Sequence, residues 1–171
     1  MSLYKIRNLI IAALIIIAAF ILQSTVISRI PLLGCGPNLM LIITFIYGYL
    51  NGKTSGMLAG FFSGLLMDIF YCEVLGYNAL ILVLIGFISG IWNTFLYSDD
   101  LYIPLIIISG SDLCYGLVYY VFWFALRARF EFGYYLLHVI LPEVLLTFIF
   151  GLIIYKPMAA LLTILKKVPE E

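Results

Sequence analysis

The chain has 171 residues, of which 65% are apolar or aromatic and 11% are charged, and its formal net charge is zero. Soluble domains average roughly half apolar and a quarter charged residues, so the composition excludes an ordinary water-soluble domain, and it excludes a basic nucleic-acid-binding protein as well. We therefore predict one integral membrane domain that covers residues 1–171.

A largely apolar run at residues 9–27 predicts the first membrane-spanning helix. Lys5 and Arg7 precede it, as in a signal peptide, but the run is longer than the roughly 7–15 apolar residues of a signal-peptide core. It matches the ~20 residues that cross ~30 Å of hydrocarbon, and no small-x-small cleavage site follows. We therefore predict a retained span, followed by a loop at residues 29–37, which contain two prolines and two glycines.

Two shorter apolar segments follow, at residues 38–50 and 55–70. Residues 51–53, with the sequence Asn-Gly-Lys, predict a turn between them, and Ser55 is expected to cap the second of the two helices. Each segment is short for a full crossing. They fit either two crossings or a re-entrant hairpin shielded by protein, and we favour two crossings.

Three further spans complete the predicted bundle. Residues 79–96 form the fourth, with Asn78 as its N-cap, and residues 101–125 form the fifth. Residues 134–155 form the sixth, with a kink expected at Pro142.

Polar segments separate or follow these spans. Residues 71–77, 98–100 and 127–133 are predicted loops, and the acids at 99 and 100 suit the start of a helix. The last apolar segment, residues 157–168, is predicted to lie along the membrane interface as an amphipathic turn or two.

Lysine and arginine positions in the loops set the predicted orientation. With the N-terminus in the cytoplasm, six of the nine basic residues lie inside and three outside. The inner ones are Lys5, Arg7, Lys53, Lys156, Lys166 and Lys167, and the outer ones are Arg29, Arg127 and Arg129. This bias predicts an all-α polytopic bundle of about six transmembrane helices with both termini cytoplasmic.

Glycines recur every four residues from 48 to 64. Because lipid is as apolar as the helices, helices associate in a membrane largely through close backbone approach, which small residues allow. Gly56, Gly60 and Gly64 therefore predict a packing face, serving either this chain's own helices or a partner protein. We expect Gly48 and Gly52 to serve the turn instead. Gly86 and Gly90 suggest a similar face on the fourth span.

Three acidic residues stand inside predicted spans: Asp68, Asp112 and Glu143. An intramembrane charge costs ~2.5–3.5 kcal/mol on insertion scales, so such residues usually face protein or water. They are expected to serve structural hydrogen bonding, contact with a partner, or a proton or cation pathway. Hydrogen bonds within the bundle would go to Asn78, Tyr115, His138 or the backbone.

The sequence gives no sign of catalysis. Cys35, Cys72 and Cys114 lack metal or redox spacing, and no serine or cysteine nucleophile has a base near it in sequence. His138 is the sole histidine and is read as an interfacial polar residue. No catalytic residue, metal or cofactor is predicted.

Several short motifs stand in the first half of the chain: GFFSGLLMD at residues 60–68, LGYNAL at 75–80 and LIGF at 84–87. The first span ends LQSTV and is followed by a Pro-Gly loop and Pro-Asn-Leu. In these motifs the chain resembles the bacterial rod shape-determining protein MreD family. The resemblance covers about residues 9–96. Asp68, Gly76 and Asn78 are the family-like positions, whereas Asp112 and Glu143 lie outside the matched stretch.

The resemblance implies a non-enzymatic subunit of the elongation machinery in the bacterial cytoplasmic membrane. It implies association with MreC, indirectly with MreB, and with RodA and a class B penicillin-binding protein. It also implies a fold similar to the substrate-binding subunits of energy-coupling-factor vitamin transporters.

Such a transporter subunit is the alternative function, with Asp68, Asn78 and His138 lining a pocket. Against it, the alanines of the first span are not spaced four apart, as the docking motif of those subunits requires.

Overall fold

The computed structural model describes residues 3–25, 36–72, 74–95, 102–123 and 132–167, and no strand occurs among them. This confirms the all-α prediction. The helices are α1 (Leu3–Thr25), α2 (Leu39–Asn51), α3 (Lys53–Tyr71), α4 (Tyr77–Phe95), α5 (Tyr102–Trp123), α6 (Phe132–Tyr135) and α7 (Leu141–Lys167), with a π-helical segment at Leu136–Ile140.

Three of the described helical stretches are long and apolar enough to cross a membrane: Lys53–Tyr71, Tyr102–Phe122 and Phe132–Leu165. Ile10–Thr25, Leu39–Asn51 and Tyr77–Trp92 form shorter apolar helices. By length and composition, three of the described helical stretches can cross a membrane, and the six-span arrangement stays a prediction.

Helix α2 is the centre of the bundle. Its eleven residues from Leu39 to Tyr49 are all buried, and it contacts α1, α3, α4, α5 and α7. A helix that is apolar on every side has no polar face to turn toward water, so neighbouring helices can cover it on all sides. At 1.5 Å per residue its 13 residues extend about 20 Å, less than the ~30 Å of a bilayer core.

The bundle buries polar side chains and exposes apolar ones. Ser63, Asp68, Asn78 and Asp112 are among the side chains with at most 1% exposure. Large apolar residues of the outer helices are exposed, including Leu14, Phe70, Leu80, Ile106 and Ile153. This inversion of the usual soluble pattern fits a membrane protein, because lipid solvates apolar surface and leaves polar groups to find partners inside.

Two predicted caps are wrong. Helix α3 begins at Lys53 directly after Gly52, so Ser55 lies within its first turn and does not cap it. Helix α4 begins at Tyr77, so Asn78 lies inside the helix and is not its N-cap. In both cases a glycine with positive φ stands immediately before the helix, Gly52 at 89° and Gly76 at 98°, three and two residues before the predicted caps.

The C-terminal segment also differs from the prediction. Helical structure runs without a break from Phe132 to Lys167, so the expected separation of residues 157–168 from the last span is wrong, and Pro157 lies inside α7. The disturbance expected at Pro142 takes the form of the π-helical segment just before it, since proline cannot donate a backbone hydrogen bond.

The predicted loop residues 29–35, 98–100 and 127–131 lie outside the described residues, as do Glu73 and the ends of the first, fourth and fifth predicted spans.

Candidate functional site

The predicted glycine face of α3 packs against α4 of the same chain. A Cβ atom added to Gly56, Gly60 or Gly64 would overlap backbone atoms of α4 at Gly86, Leu82 and Ala79, respectively. Ala59 and Ser63 on the same helix are also buried. The intramolecular alternative for this face is therefore the one that the structure shows, and we call it the glycine seam.

The glycine seam reaches α2 as well, which corrects one expectation. Gly48 was assigned to the turn, yet it lies within α2, where an added Cβ would meet Gly86 and the Ser89 side chain. Gly48, Gly56 and Gly86 thus bring three helices together at one point. Gly52, in contrast, has an open surrounding and a positive φ, as a turn residue should.

Asp68 holds the start of α4. Its carboxylate accepts hydrogen bonds from the backbone N–H groups of Gly76 (2.9 Å), Asn78 (2.9 Å) and Ala79 (3.1 Å). The first N–H groups of a helix have no partner within the helix, and a carboxylate there also meets the positive end of the helix dipole. Asp68, from the last turn of α3, therefore performs the capping role that the sequence assigned to Asn78.

Asn78 instead links α4 to its neighbours through its side chain. The amide nitrogen donates to Cys72 Sγ at 2.9 Å, and Tyr115 of α5 donates its hydroxyl proton to Asn78 Oδ1 at 2.7 Å. The pKa of the Cys72 thiol is raised above its usual value, mainly by burial. The hydrogen bond from Asn78 opposes this rise, and the negative charge of Asp68 adds to it. Asn78 itself is 1% exposed, so both ends of its amide are satisfied inside the protein.

Asp112 lies one turn before Tyr115 on α5 and is 1% exposed. Thr147 of α7 and Asn38 at the start of α2 are its polar neighbours. The Asn38 backbone N–H donates to Thr147 Oγ1 at 3.1 Å, and Asn38 Oδ1 caps α2 by accepting from the Leu41 N–H at 3.2 Å. The Thr147 hydroxyl and the Asn38 amide are within hydrogen-bonding reach of the Asp112 carboxyl group, although within the described residues neither of its oxygens has a partner in good hydrogen-bond geometry.

Glu143 stands near Asp112 on the facing helix. It lies one turn before Thr147 on α7 and is half-buried. The two carboxyl groups are close enough for their charges to interact, and Glu143 is also within electrostatic reach of Tyr115 and Tyr119. Two acids that the sequence could only place on separate spans are thus brought together.

These side chains form one connected set inside the bundle, which we call the polar layer. Its members are Gln23, Asn38, Asp68, Asn78, Asp112, Tyr115, Glu143 and Thr147. Gln23 near the end of α1 belongs to it because its Oε1 accepts from the Met40 N–H at 3.2 Å. The layer joins α1, α2, α3, α4, α5 and α7. Gln23, Asn38, Asp68 and Asn78 lie at or near helix ends that the charge bias assigns to the outside, whereas Asp112 lies at the middle of α5.

Three members of the polar layer were not singled out from sequence. Gln23 was noted only as part of a family-like segment, Asn38 only as the start of a span, and Thr147 not at all. A polar residue inside an apolar segment was the available signal for Gln23 and Thr147, since such residues usually face the bundle interior. Asn before an apolar helix was the signal for the cap at Asn38.

His138 stays apart from the acids. It is exposed in the π-helical segment, its ring stacks on Tyr134 at 4.3 Å between centroids, and its Nδ1 lies 3.1 Å from the Tyr134 carbonyl oxygen. The expectation of an interfacial polar residue fits this position.

The described residues contain no group of three or more His, Cys, Asp or Glu side chains that could hold a metal ion. The polar layer is chemically a hydrogen-bond network with one acid pair. A groove between α1 and α7, lined by Ile15, Ile154, Met158 and neighbouring apolar residues, offers no polar group to a vitamin-like ligand.

Comparison with known proteins gives one match. A family model described as rod shape-determining protein MreD matches residues 4–165, nearly the whole chain. No curated protein and no solved structure gives a significant match.

Proposed function

The chain belongs to the MreD family of rod shape-determining proteins, and from this we infer that it acts as a non-catalytic scaffold of the bacterial cell-elongation complex. In this role it supports lateral peptidoglycan synthesis by binding MreC and, through MreC, the cytoskeletal protein MreB. RodA and a class B penicillin-binding protein complete the proposed assembly. The family match over residues 4–165 is the observation that carries the proposal.

The architecture supports a scaffold that acts through its membrane helices. The described residues form helices joined by short connections, and their outer surface is apolar. A partner protein therefore meets this chain through helix faces and helix ends. The glycine seam and the polar layer hold those faces in fixed positions, because one is made of backbone contacts and the other of buried hydrogen bonds.

We place the whole chain as one domain in the bacterial cytoplasmic membrane, with six crossings and both termini inside. The positions of the basic residues support this orientation. Arg7, Lys53 and Lys156 lie toward the ends of α1, α3 and α7 that are remote from the polar layer, which matches the predicted inner side. The polar layer then faces the outside, where peptidoglycan is assembled.

Complementation tests the proposal. The chain is produced in a rod-shaped bacterium depleted of its own MreD, and cell aspect ratio is measured together with affinity capture from solubilised membranes. Restored rods and capture of MreC in constant proportion are expected. Round cells and no MreC, despite normal membrane insertion of the chain, would refute the scaffold role.

A matched pair of variants connects the test to the structure. Gly60→Leu/Gly64→Leu places two bulky side chains in the glycine seam and is expected to lose both MreC capture and rod shape. Gly110→Leu is the control, because Gly110 is exposed on α5 with open space around its Cβ position. Full activity of the double variant would contradict the need for a rigid seam.

The vitamin-transporter alternative gains no support. The family that matches is one of shape-determining proteins, and the groove between α1 and α7 is apolar.

A further inference from the structure

The acid pair of the polar layer is a feature that the scaffold role leaves unexplained. Asp112 is 1% exposed, and both of its carboxylate oxygens are buried without a hydrogen-bond partner in the described part of the chain. A buried polar group without a partner costs about 1–3 kcal/mol, and an ionised one costs far more. Thr147 and Asn38 approach this carboxyl group without completing hydrogen bonds of good geometry, and native proteins seldom leave such a group unsatisfied, so it indicates a further ligand beside them.

A neighbouring acidic group makes the unfavourable burial of Asp112 worse. Glu143 carries a second carboxyl group within electrostatic reach of Asp112, and like charges in a low-dielectric interior repel strongly. The basic side chains that the structure describes do not compensate for them. Lys156 is 13 residues beyond Glu143 on a helix, about 20 Å along its axis, and Arg7 and Lys53 lie at the same remote end.

We propose that Asp112 and Glu143 form a binding site for a single monovalent cation, either a proton or an alkali metal ion, between α5 and α7. The site goes beyond the proposed scaffold role and does not depend on it. Thr147 and Asn38 complete it, since their hydroxyl and amide groups turn either an oxygen toward a metal ion or a hydrogen toward a carboxylate.

The charge balance favours one positive charge. The start of α2, capped by Asn38, lies beside Asp112, and a helix N-terminus carries roughly half a positive charge. One monovalent cation and this helix end together offset most of the two negative charges. Calcium suits the site poorly, because it takes about 6–8 oxygen ligands and the described residues offer no group of three or more acidic, histidine or cysteine side chains here.

The partial exposure of Glu143 gives the site a direction. Glu143 is half-buried whereas Asp112 is enclosed, so a cation reaches Asp112 past Glu143 from the polar-layer end of the bundle. The other titratable groups around the pair are Tyr115 and Tyr119 on α5. Farther off, around Tyr115, stand Tyr77, Cys72 and Asp68.

Two measurements on the purified full-length chain in lipid nanodiscs distinguish the two cations. For an alkali ion, the melting temperature is measured in sodium chloride against choline chloride at equal ionic strength and fixed pH. Sodium is expected to raise the melting temperature, and Asp112→Asn is expected to abolish the rise. For a proton, infrared difference spectra recorded across pH report the C=O stretch of a protonated carboxyl group, which Asp112→Asn or Glu143→Gln is expected to remove.

Either effect, lost in the variants, supports the site and identifies its occupant. Glu143→Gln serves in both measurements if Asp112→Asn fails to fold. His138→Gln is the control for imidazole titration and is expected to change neither result. The proposal is overturned if neither a sodium-dependent shift nor a carboxyl band is seen, if both persist in the variants, or if only divalent ions stabilise the protein.

Discussion

Replacing Gly60 with alanine is the smallest perturbation that tests the glycine seam. The added Cβ atom would lie 2.6 Å from the carbonyl carbon of Leu82 and 2.9 Å from the backbone nitrogen of Val83, and it would overlap the Leu82 oxygen. These are backbone atoms of α4, so no side-chain rotation relieves the contact. Ordinary carbon–carbon contacts are ~3.5–4.0 Å, which means that α3 and α4 must separate locally by roughly 1 Å.

That displacement sets the size of the effect. A gap of roughly 0.5–1 Å already forfeits about a quarter to a half of each van der Waals contact, and overpacking a tight core costs about 1–3 kcal/mol. The matched change Gly110→Ala should have the opposite sign. Gly110 lies in α5 with open space at its Cβ position, so alanine there gains about 0.5–1 kcal/mol from reduced backbone entropy of the unfolded chain.

The assay is reversible unfolding of the purified chain in mixed detergent micelles, with the free energy of unfolding compared between the two variants and the unsubstituted protein. We expect Gly60→Ala to be destabilised and Gly110→Ala to be unchanged or stabilised, a difference of roughly 1.5–4 kcal/mol between them. Equal stability of the two alanine variants would refute the backbone-contact reasoning.

Three further substitutions test the polar layer and its turn. Asp68→Asn leaves one carbonyl oxygen where two carboxylate oxygens now accept three N–H groups. We therefore expect the free energy of unfolding to fall by about 1–2 kcal/mol and amide hydrogen exchange to become faster at the start of α4. Unchanged exchange there would contradict the capping role. Tyr115→Phe leaves Asn78 Oδ1 without its hydroxyl partner and should lower the free energy of unfolding by about 1–2 kcal/mol. Combined with Asn78→Ala in a double-mutant cycle, it measures the coupling energy between the two side chains, and a coupling energy of zero would contradict the importance of this hydrogen bond. Gly76→Ala should cost about 1–2 kcal/mol because φ is 98° in open space, whereas Gly133→Ala, also in open space but without positive φ, should be nearly neutral in the same unfolding assay.

The polar residues show where sequence reasoning reached its limit. A carboxyl group in an apolar span signals a buried polar contact, and Asp68, Asp112 and Glu143 were all identified by that rule. Their partners were only partly predictable. Asp68 bonds to backbone ten residues ahead, within reach of local reasoning, whereas the approach of Asp112 to Glu143 depends on how α5 lies against α7.

Sequence by itself determined that the described chain is helical and apolar enough for a membrane, roughly where α2, α3, α4 and α5 lie, and which face of α3 packs closely. Hydropathy, turn residues and the four-residue glycine spacing are local properties of the chain. Tertiary structure alone decided that α2 is the enclosed centre, that Gly48 belongs to the glycine seam, that Asp68 rather than Asn78 caps α4, and that two acids from different helices meet. The physical reason is that the faces of a membrane helix are all similarly hydrophobic, so hydrophobicity does not show which face meets which neighbour. The identity of each neighbour is therefore set by backbone fit and by buried hydrogen bonds between residues far apart in sequence.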